Sequence, residues 1–224
     1  VCEDCLDLTA LGQVGVPGRS AAEEAERQRE ERRREAEIIW GDEAAGDRYD
    51  DRWATAYDKG AVGEQRLGQL LERLVGGFGW VLHDRAVGRN ANIDHIVVVP
   101  SGVWIVDSKN YRGKVRAQRR GLFGPVQGMR VRGADRTDVV RGALWQVDSV
   151  RSAVDEPGVP VHLLLAFPDD SAFGWFSKSF QIDGVWCCPP GELAGRLLGS
   201  APVLRLDQLS QITGQLSVRL PAKA

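Results

Sequence analysis

The chain has 224 residues, 43% of them hydrophobic, with 29 basic against 31 acidic side chains and a formal net charge of −2. That length accommodates one α/β domain with an appendage and a real core, and the near balance of charge excludes a protein that coats nucleic acid by bulk charge. Four cysteines do not make a disulfide framework. No run approaches the roughly 20 apolar residues of a membrane-spanning helix, and the opening "VCEDCLDLTA" lacks the layout of a secretory signal. A cytoplasmic protein with no membrane partner is the expectation, and Val1 in place of an initiator Met leaves room for a native start further upstream.

Three segments differ in composition. Residues 1–52 hold the pair Cys2 and Cys5, the Gly/Pro stretch "GVPGRSA" and the charge-dense "AAEEAERQREERRREAEIIW". The last has few apolar positions to bury, which predicts a charged helical arm standing in solvent. The Cys pair has the spacing of half a zinc site, with no second pair at the expected distance.

Residues 53–199 read as a packed domain. In "GAVGEQRLGQLLERLV", Leu67, Leu70, Leu71 and Leu74 mark one face of an amphipathic helix, and Glu64 falls on the same stripe. "WVLHDRAV", "NIDHIVVV" and "VWIVDSK" follow as strands, then "GKVRAQRR" and "GPVQGMRVRG" as extended segments, then a helix over "DVVRGALWQVDSVRSAV". "PVHLLLAF" and "FQIDGVWCC" read as later strands, and "PPGELAGRLL" as a helix starting on Pro. Residues 200–224 read as a terminal helix and a free tail. This order implies an α/β fold, a mixed sheet flanked by helices.

Two strand runs carry unexpected charge. Side chains alternate along a strand, so Val103, Ile105, Asp107 and Lys109 share one face, as do Asp94, Ile96 and Val98. A two-residue loop at Pro100-Ser101 or Ser101-Gly102 sets Asp94 opposite Asp107 or Lys109, whereas a three-residue loop sets it opposite Ser108 on the other face. Two carboxylates within about 4–6 Å repel unless a cation lies between them. Mg²⁺ suits such oxygen donors, Glu64 offers a third acid, and Lys109 aims its ammonium at the same place.

Downstream, Arg112, Lys114, Arg116, Arg119, Arg120, Arg130, Arg132 and Arg136 face only Asp135 and Asp138 in charge. This local basic patch follows the acids directly and predicts salt-sensitive, largely sequence-independent phosphate contacts. Aromatic side chains at 123, 173, 175 and 176 are candidates to stack on bases, with core packing as the alternative. His95 points away from Asp94 and is expected to be a core histidine; Cys187 and Cys188 end an apolar strand as buried thiols.

"GAVGEQ", "NIDHIVVVPSGVWIVDSKNYRGKV" and "ALWQVDSV" resemble the nuclease-related domain, NERD, a branch of the PD-(D/E)XK nuclease superfamily, closely from about Gly60 to Gly113 and more loosely to about Cys188. The resemblance implies a PD-(D/E)XK-like fold in which Glu64, Asp94 and Asp107 bind Mg²⁺ or Mn²⁺, with the Ser108 carbonyl completing the site. Catalysis then rests on these acids, on Lys109, which positions the attacking water, and on Gln146, which matches a helix glutamine of this branch that supports the lysine or touches substrate. Ile93 stands where the superfamily name has Pro. Similar proteins with an N-terminal Cys pair and an Arg/Glu helix carry a zinc ribbon, which implies Zn²⁺ at Cys2 and Cys5. The expected function is a metal-dependent nuclease acting on DNA in repair, recombination or defence, as a monomer or homo-oligomer, with RNA as the alternative substrate. A different class competes with it: an inactive nucleic-acid-binding or scaffolding module retaining the fold. A third reading is a zinc-ribbon adaptor whose charged arm recruits a protein.

Overall fold

The computed structural model describes residues 15–40, 52–111, 113–121, 124–168, 172–173 and 179–223. Helices α1 (Arg19–Trp40) and α2 (Arg52–Val75) precede three strands, β1 (Trp80–Val87), β2 (Ala91–Val99) and β3 (Gly102–Ser108). A separate small sheet follows, made of β4 (Val115–Arg119), β5 (Val126–Val131) and the two-residue β6 (Ala134–Asp135). Helices α3 (Thr137–Gly142) and α4 (Trp145–Ser152) lead back to the main sheet at β7 (Val161–Ala166). The chain ends with β8 (Phe180–Ile182), β9 (Val185–Cys188), a 3-10 turn at Pro190–Glu192, α5 (Leu193–Leu198) and α6 (Leu206–Arg219).

The main sheet has six strands in the order β1-β2-β3-β7-β9-β8, parallel at β3–β7 and β7–β9 and antiparallel elsewhere. Both of its faces are covered, which is why the central strands read as continuous apolar runs. Ile96, Val98, Val103 and Ile105 pack toward the small sheet, α3, α4 and α6. Val97, Val99, Trp104 and Val106 pack under α2 and α5, against Leu67, Leu71, Val75, Leu193 and Leu197. The mixed α/β architecture is therefore the one the element order implied.

Four local expectations change. The helix predicted from 138 to 154 is two short helices, interrupted at Ala143 and Leu144. "FQIDGVWCC" is not one strand but a hairpin, because Asp183 and Gly184 both adopt positive φ, 48° and 83°, as a two-residue Asp-Gly turn requires. The C-terminal tail is not free: Ala222 bridges Arg85, the Lys223 N–H donates to the Asp84 carbonyl, and the Ala86 N–H donates to the Pro221 carbonyl. Nor does α1 stand wholly in solvent, since Ala25 is fully buried and the first turn of the helix is bonded to the domain.

Candidate active site

The turn between β2 and β3 decides where the acids go. Val99 pairs with Gly102, so the loop is Pro100-Ser101, and the register runs on through His95 and Val106 to bring Asp94 beside Asp107. Gly102 is needed there: its φ is 132°, and a Cβ would lie 2.7 Å from the Pro160 carbonyl oxygen. The Ser108 N–H donates to Asp94 Oδ2 at 2.8 Å, tying the two strand ends together.

Asp107, only 3% exposed, is held from two sides. Lys109 Nζ lies 2.6 Å from its Oδ1, and the Gln146 amide on α4 donates to its Oδ2 at 3.0 Å. Gln146 thus meets the acid directly rather than the lysine. Glu64, one turn before Leu67 on the buried stripe of α2, accepts the Gly18 N–H on Oε1 at 2.8 Å.

The electrostatics follow from crowding acids together out of water. Burial raises the Glu64 carboxyl to about 7; the Gly18 N–H opposes this, Asp84 and Asp107 add to it, and Lys109 opposes it. Burial likewise pushes Asp94 well above the usual carboxylate range, reinforced by Asp107 and Glu64 and opposed by the Ser108 N–H and Lys109. Lys109 is pulled down by burial, but the charge of Asp107 and its hydrogen bond outweigh that, so the ammonium is kept. Mutual repulsion of this kind is what a bound cation relieves, and the donors on offer are the hard oxygens that Mg²⁺ or Mn²⁺ takes, usually with several waters retained. The chemistry of these donors therefore suits such an ion, with water making up the rest of its coordination. Among the described residues, no group of three or more acidic, histidine or cysteine side chains is placed to hold a metal ion by itself.

Asp84 is the acid that sequence reasoning missed. β1 pairs with β2 through His83–His95 and Arg85–Ile93, which sets Asp84 beside Asp94 and continues the row of acids across a third strand. The signal was present in "LHDRAV", but only the β1–β2 register reveals it. Asp84 is 1% exposed and sits at a φ of 49°, rare for a residue with a side chain.

His95 is fully buried on the opposite face, its Nδ1 2.9 Å from His83 Nδ1, and His83 Nε2 reaches Glu72 at 3.0 Å. Phe173 is core as well, buried between Phe167, which it meets edge-on at a centroid distance of 5.5 Å, and the tilted ring of Phe180 at 6.2 Å, so it offers no face to a base. The aromatics at 123, 175 and 176, together with Arg112, Cys2 and Cys5, lie outside the described residues. Cys187 and Cys188 are buried free thiols.

The basic segment forms the β4–β5 hairpin. Val115, Met129 and Val131 turn inward to the core, and Lys114, Arg116, Arg119, Arg120, Arg130 and Arg132 lie on its outer side. Arg116 stands directly opposite Arg130. Residues 109–114 alone join this hairpin to the acid-bearing end of β3.

Residues 59–168, the span that contains the acids, Lys109, the hairpin and Gln146, match the family model of the nuclease-related domain. The chain carries a NERD domain. NERD belongs to the PD-(D/E)XK-like nuclease superfamily, whose members usually use divalent metals. An uncharacterized protein of Bacillus anthracis is 39% identical over 59 residues, which cover 25% of this chain and 28% of that protein. No solved structure matches the chain. Among the described residues, no helix is long and apolar enough to cross a membrane.

Proposed function

We propose that this chain is a divalent-metal-dependent nuclease that hydrolyses phosphodiester bonds in DNA, serving repair, recombination or defence. The observation that carries the reading is the gathering of Asp94, Asp107 and Lys109 at the end of the β2–β3 hairpin away from its turn, with Glu64 close enough to feel the charges of Asp107 and Lys109. Glu64, Asp94 and Asp107 would hold Mg²⁺ or Mn²⁺, with the Ser108 carbonyl as a further oxygen. A metal bound there would make its water easier to deprotonate and would offset charge on the phosphate.

The remaining work falls to the protein. Lys109 orients the attacking water and counters phosphate charge, and its 2.6 Å contact with Asp107 fixes where the ammonium points. Gln146 holds the other Asp107 oxygen, so that carboxylate cannot rotate freely. The arginines of the hairpin grip the backbone of the substrate without reading its sequence. Zn²⁺ at Cys2 and Cys5 would belong to a separate structural element.

A second reading, an inactive nucleic-acid-binding or scaffolding module, is favoured by one feature: both Asp107 oxygens are already engaged, by Lys109 and by Gln146. Cleavage of labelled linear, circular and single-stranded DNA, with RNA alongside, separates the two readings when run with Mg²⁺, Mn²⁺ or EDTA. Metal-dependent cutting by wild type that Lys109→Ala loses supports the nuclease. Salt-sensitive DNA binding with no cutting in any metal supports the module instead.

A further inference from the structure

The first turn of α1 is built into the acid cluster. The Gly18 N–H donates to Glu64, while Asp84 accepts the Ser20 N–H on Oδ2 at 2.8 Å and the Ser20 hydroxyl on Oδ1 at 2.7 Å. Asn92 Nδ2 donates to the same Oδ1 at 2.9 Å. The segment thereby spends two of the amides that a helix N-terminus leaves without intrahelical partners, and it spends them on two different acids.

The docking is shaped by glycine. A Cβ at Gly15 would run into the His83 carbonyl oxygen, one at Gly18 would lie 2.7 Å from the Ala61 carbonyl oxygen, and one at Gly68 would lie 2.6 Å from the Pro17 ring. Gly15 and Gly18 also hold positive φ, 81° and 75°. Asp84, at its own positive φ, adds a strained residue at the receiving end. Strain and three close approaches on one short segment mark a specified contact rather than a helix resting on a surface.

We propose that Gly18–Ser20, anchored on Asp84, is a positioning element for Glu64, fixing one carboxylate oxygen so that the other is presented to the divalent metal; this rests on the metal-site reading above. Asp84 serves as the anchor: both of its oxygens already accept hydrogen bonds, from Ser20 and Asn92. Groups that hydrogen-bond a ligating carboxylate commonly set metal affinity by about 10–100-fold.

The test uses the full chain and Mn²⁺ titration calorimetry. Asp84→Asn should weaken Mn²⁺ binding by about tenfold or more, Ser20→Ala by a smaller factor, and Ser20→Thr should restore it. Circular dichroism and melting in EDTA report whether each variant folds, and Ser20→Ala keeps the test alive if Asp84→Asn does not. Hydrogen exchange in metal-free protein should speed up at the Gly18 amide in Asp84→Asn. Folded Asp84→Asn and Ser20→Ala proteins that bind Mn²⁺ as wild type does would overturn the positioning role alone. A wild type that binds no Mn²⁺ would overturn the metal-site reading and this inference with it.

Discussion

Helix α1 and the β4–β5 hairpin are the two charge-rich segments of the molecule, and they dispose of their charge in opposite ways. In α1 the charges answer one another along the helix: Arg19 pairs with Glu23 at 2.9 Å, Arg27 pairs with Glu24, and Gln28 donates to Glu24 at 2.9 Å. What the start of the helix offers the site is uncharged donors, the Gly18 and Ser20 amides and the Ser20 hydroxyl. In the hairpin the arginines face one another instead. Arg116 is opposite Arg130, and among the described residues none of Arg116, Arg119, Arg120, Arg130 and Arg132 forms a salt bridge. Like charges directly across a strand pair are destabilising unless something anionic lies over them. Charge density alone therefore says little about function; the positions of the partners say much more.

The largest expected effect lies between the two segments, where both arms converge. Asp107→Ala removes an acid of the proposed metal site and frees both Lys109 and Gln146, so cleavage in Mg²⁺ or Mn²⁺ should fall by about a thousandfold or more. Gel-based cleavage assays check this, and DNA binding through the hairpin should survive the change. Retained cleavage would remove Asp107 from the chemistry.

Next in size is the hairpin itself. Arg116→Ala with Arg130→Ala should weaken DNA binding roughly uniformly across sequences and lower the slope of log K against log salt by about 2, close to 0.9 for each phosphate no longer neutralised. Fluorescence anisotropy over a salt series measures it. The same pair of changes should leave the melting temperature equal or slightly higher, since it removes two facing like charges. An unchanged slope would assign the patch to plain solvation.

A pH series sharpens the contrast by isolating the acids. A metal takes the ionised carboxylate, and Glu64 titrates at about 7, so Mn²⁺ affinity should fall about tenfold per unit as pH drops below 7 from this group alone. For stability in the absence of metal the sign reverses. The Glu64 value is raised from its ordinary 4.5, so its contribution is fully present below about 4.5 and is lost as pH rises through about 7. Glu64→Gln should flatten both dependences, measured by calorimetry and by melting in EDTA.

Much of this was legible in the sequence for identifiable reasons. Alternation places Asp94 with Ile96 and Val98 and Asp107 with Val103 and Ile105, and Pro100-Ser101-Gly102 allowed only a few loops, so the meeting of Asp94 with Asp107 reduced to one register. Glu64 could be placed on the buried stripe of its helix because such a stripe is a local property. Asp84 was not found, because its place depends on how β1 pairs with β2 and on a backbone conformation that no propensity foretells. The docking of α1 was hidden for a related reason: its polar face carries charge, and its bonds to the site run through the backbone amides of Gly18 and Ser20 and a single serine hydroxyl, which leave no periodic side-chain pattern to read. The C-terminal tail misled in the same way, since its bonds to β1 are main-chain bonds.

The smallest expected effect tests whether the charges of α1 are as inert as the comparison holds. Arg27 has a side chain 72% exposed, and its partner Glu24 is three residues away on the same helix. An exposed pair of this kind contributes about 0.5 kcal/mol or less. Arg27→Ala should therefore leave both DNA affinity and its salt slope unchanged, and should move the melting temperature by no more than about a degree or two. If the slope dropped by about 1, the amount expected when a single phosphate goes unneutralised, α1 would have to lie along the nucleic acid beside the hairpin. The helix would then serve as a second gripping surface as well as a brace for Glu64, and the division of labour between the two charged segments would collapse.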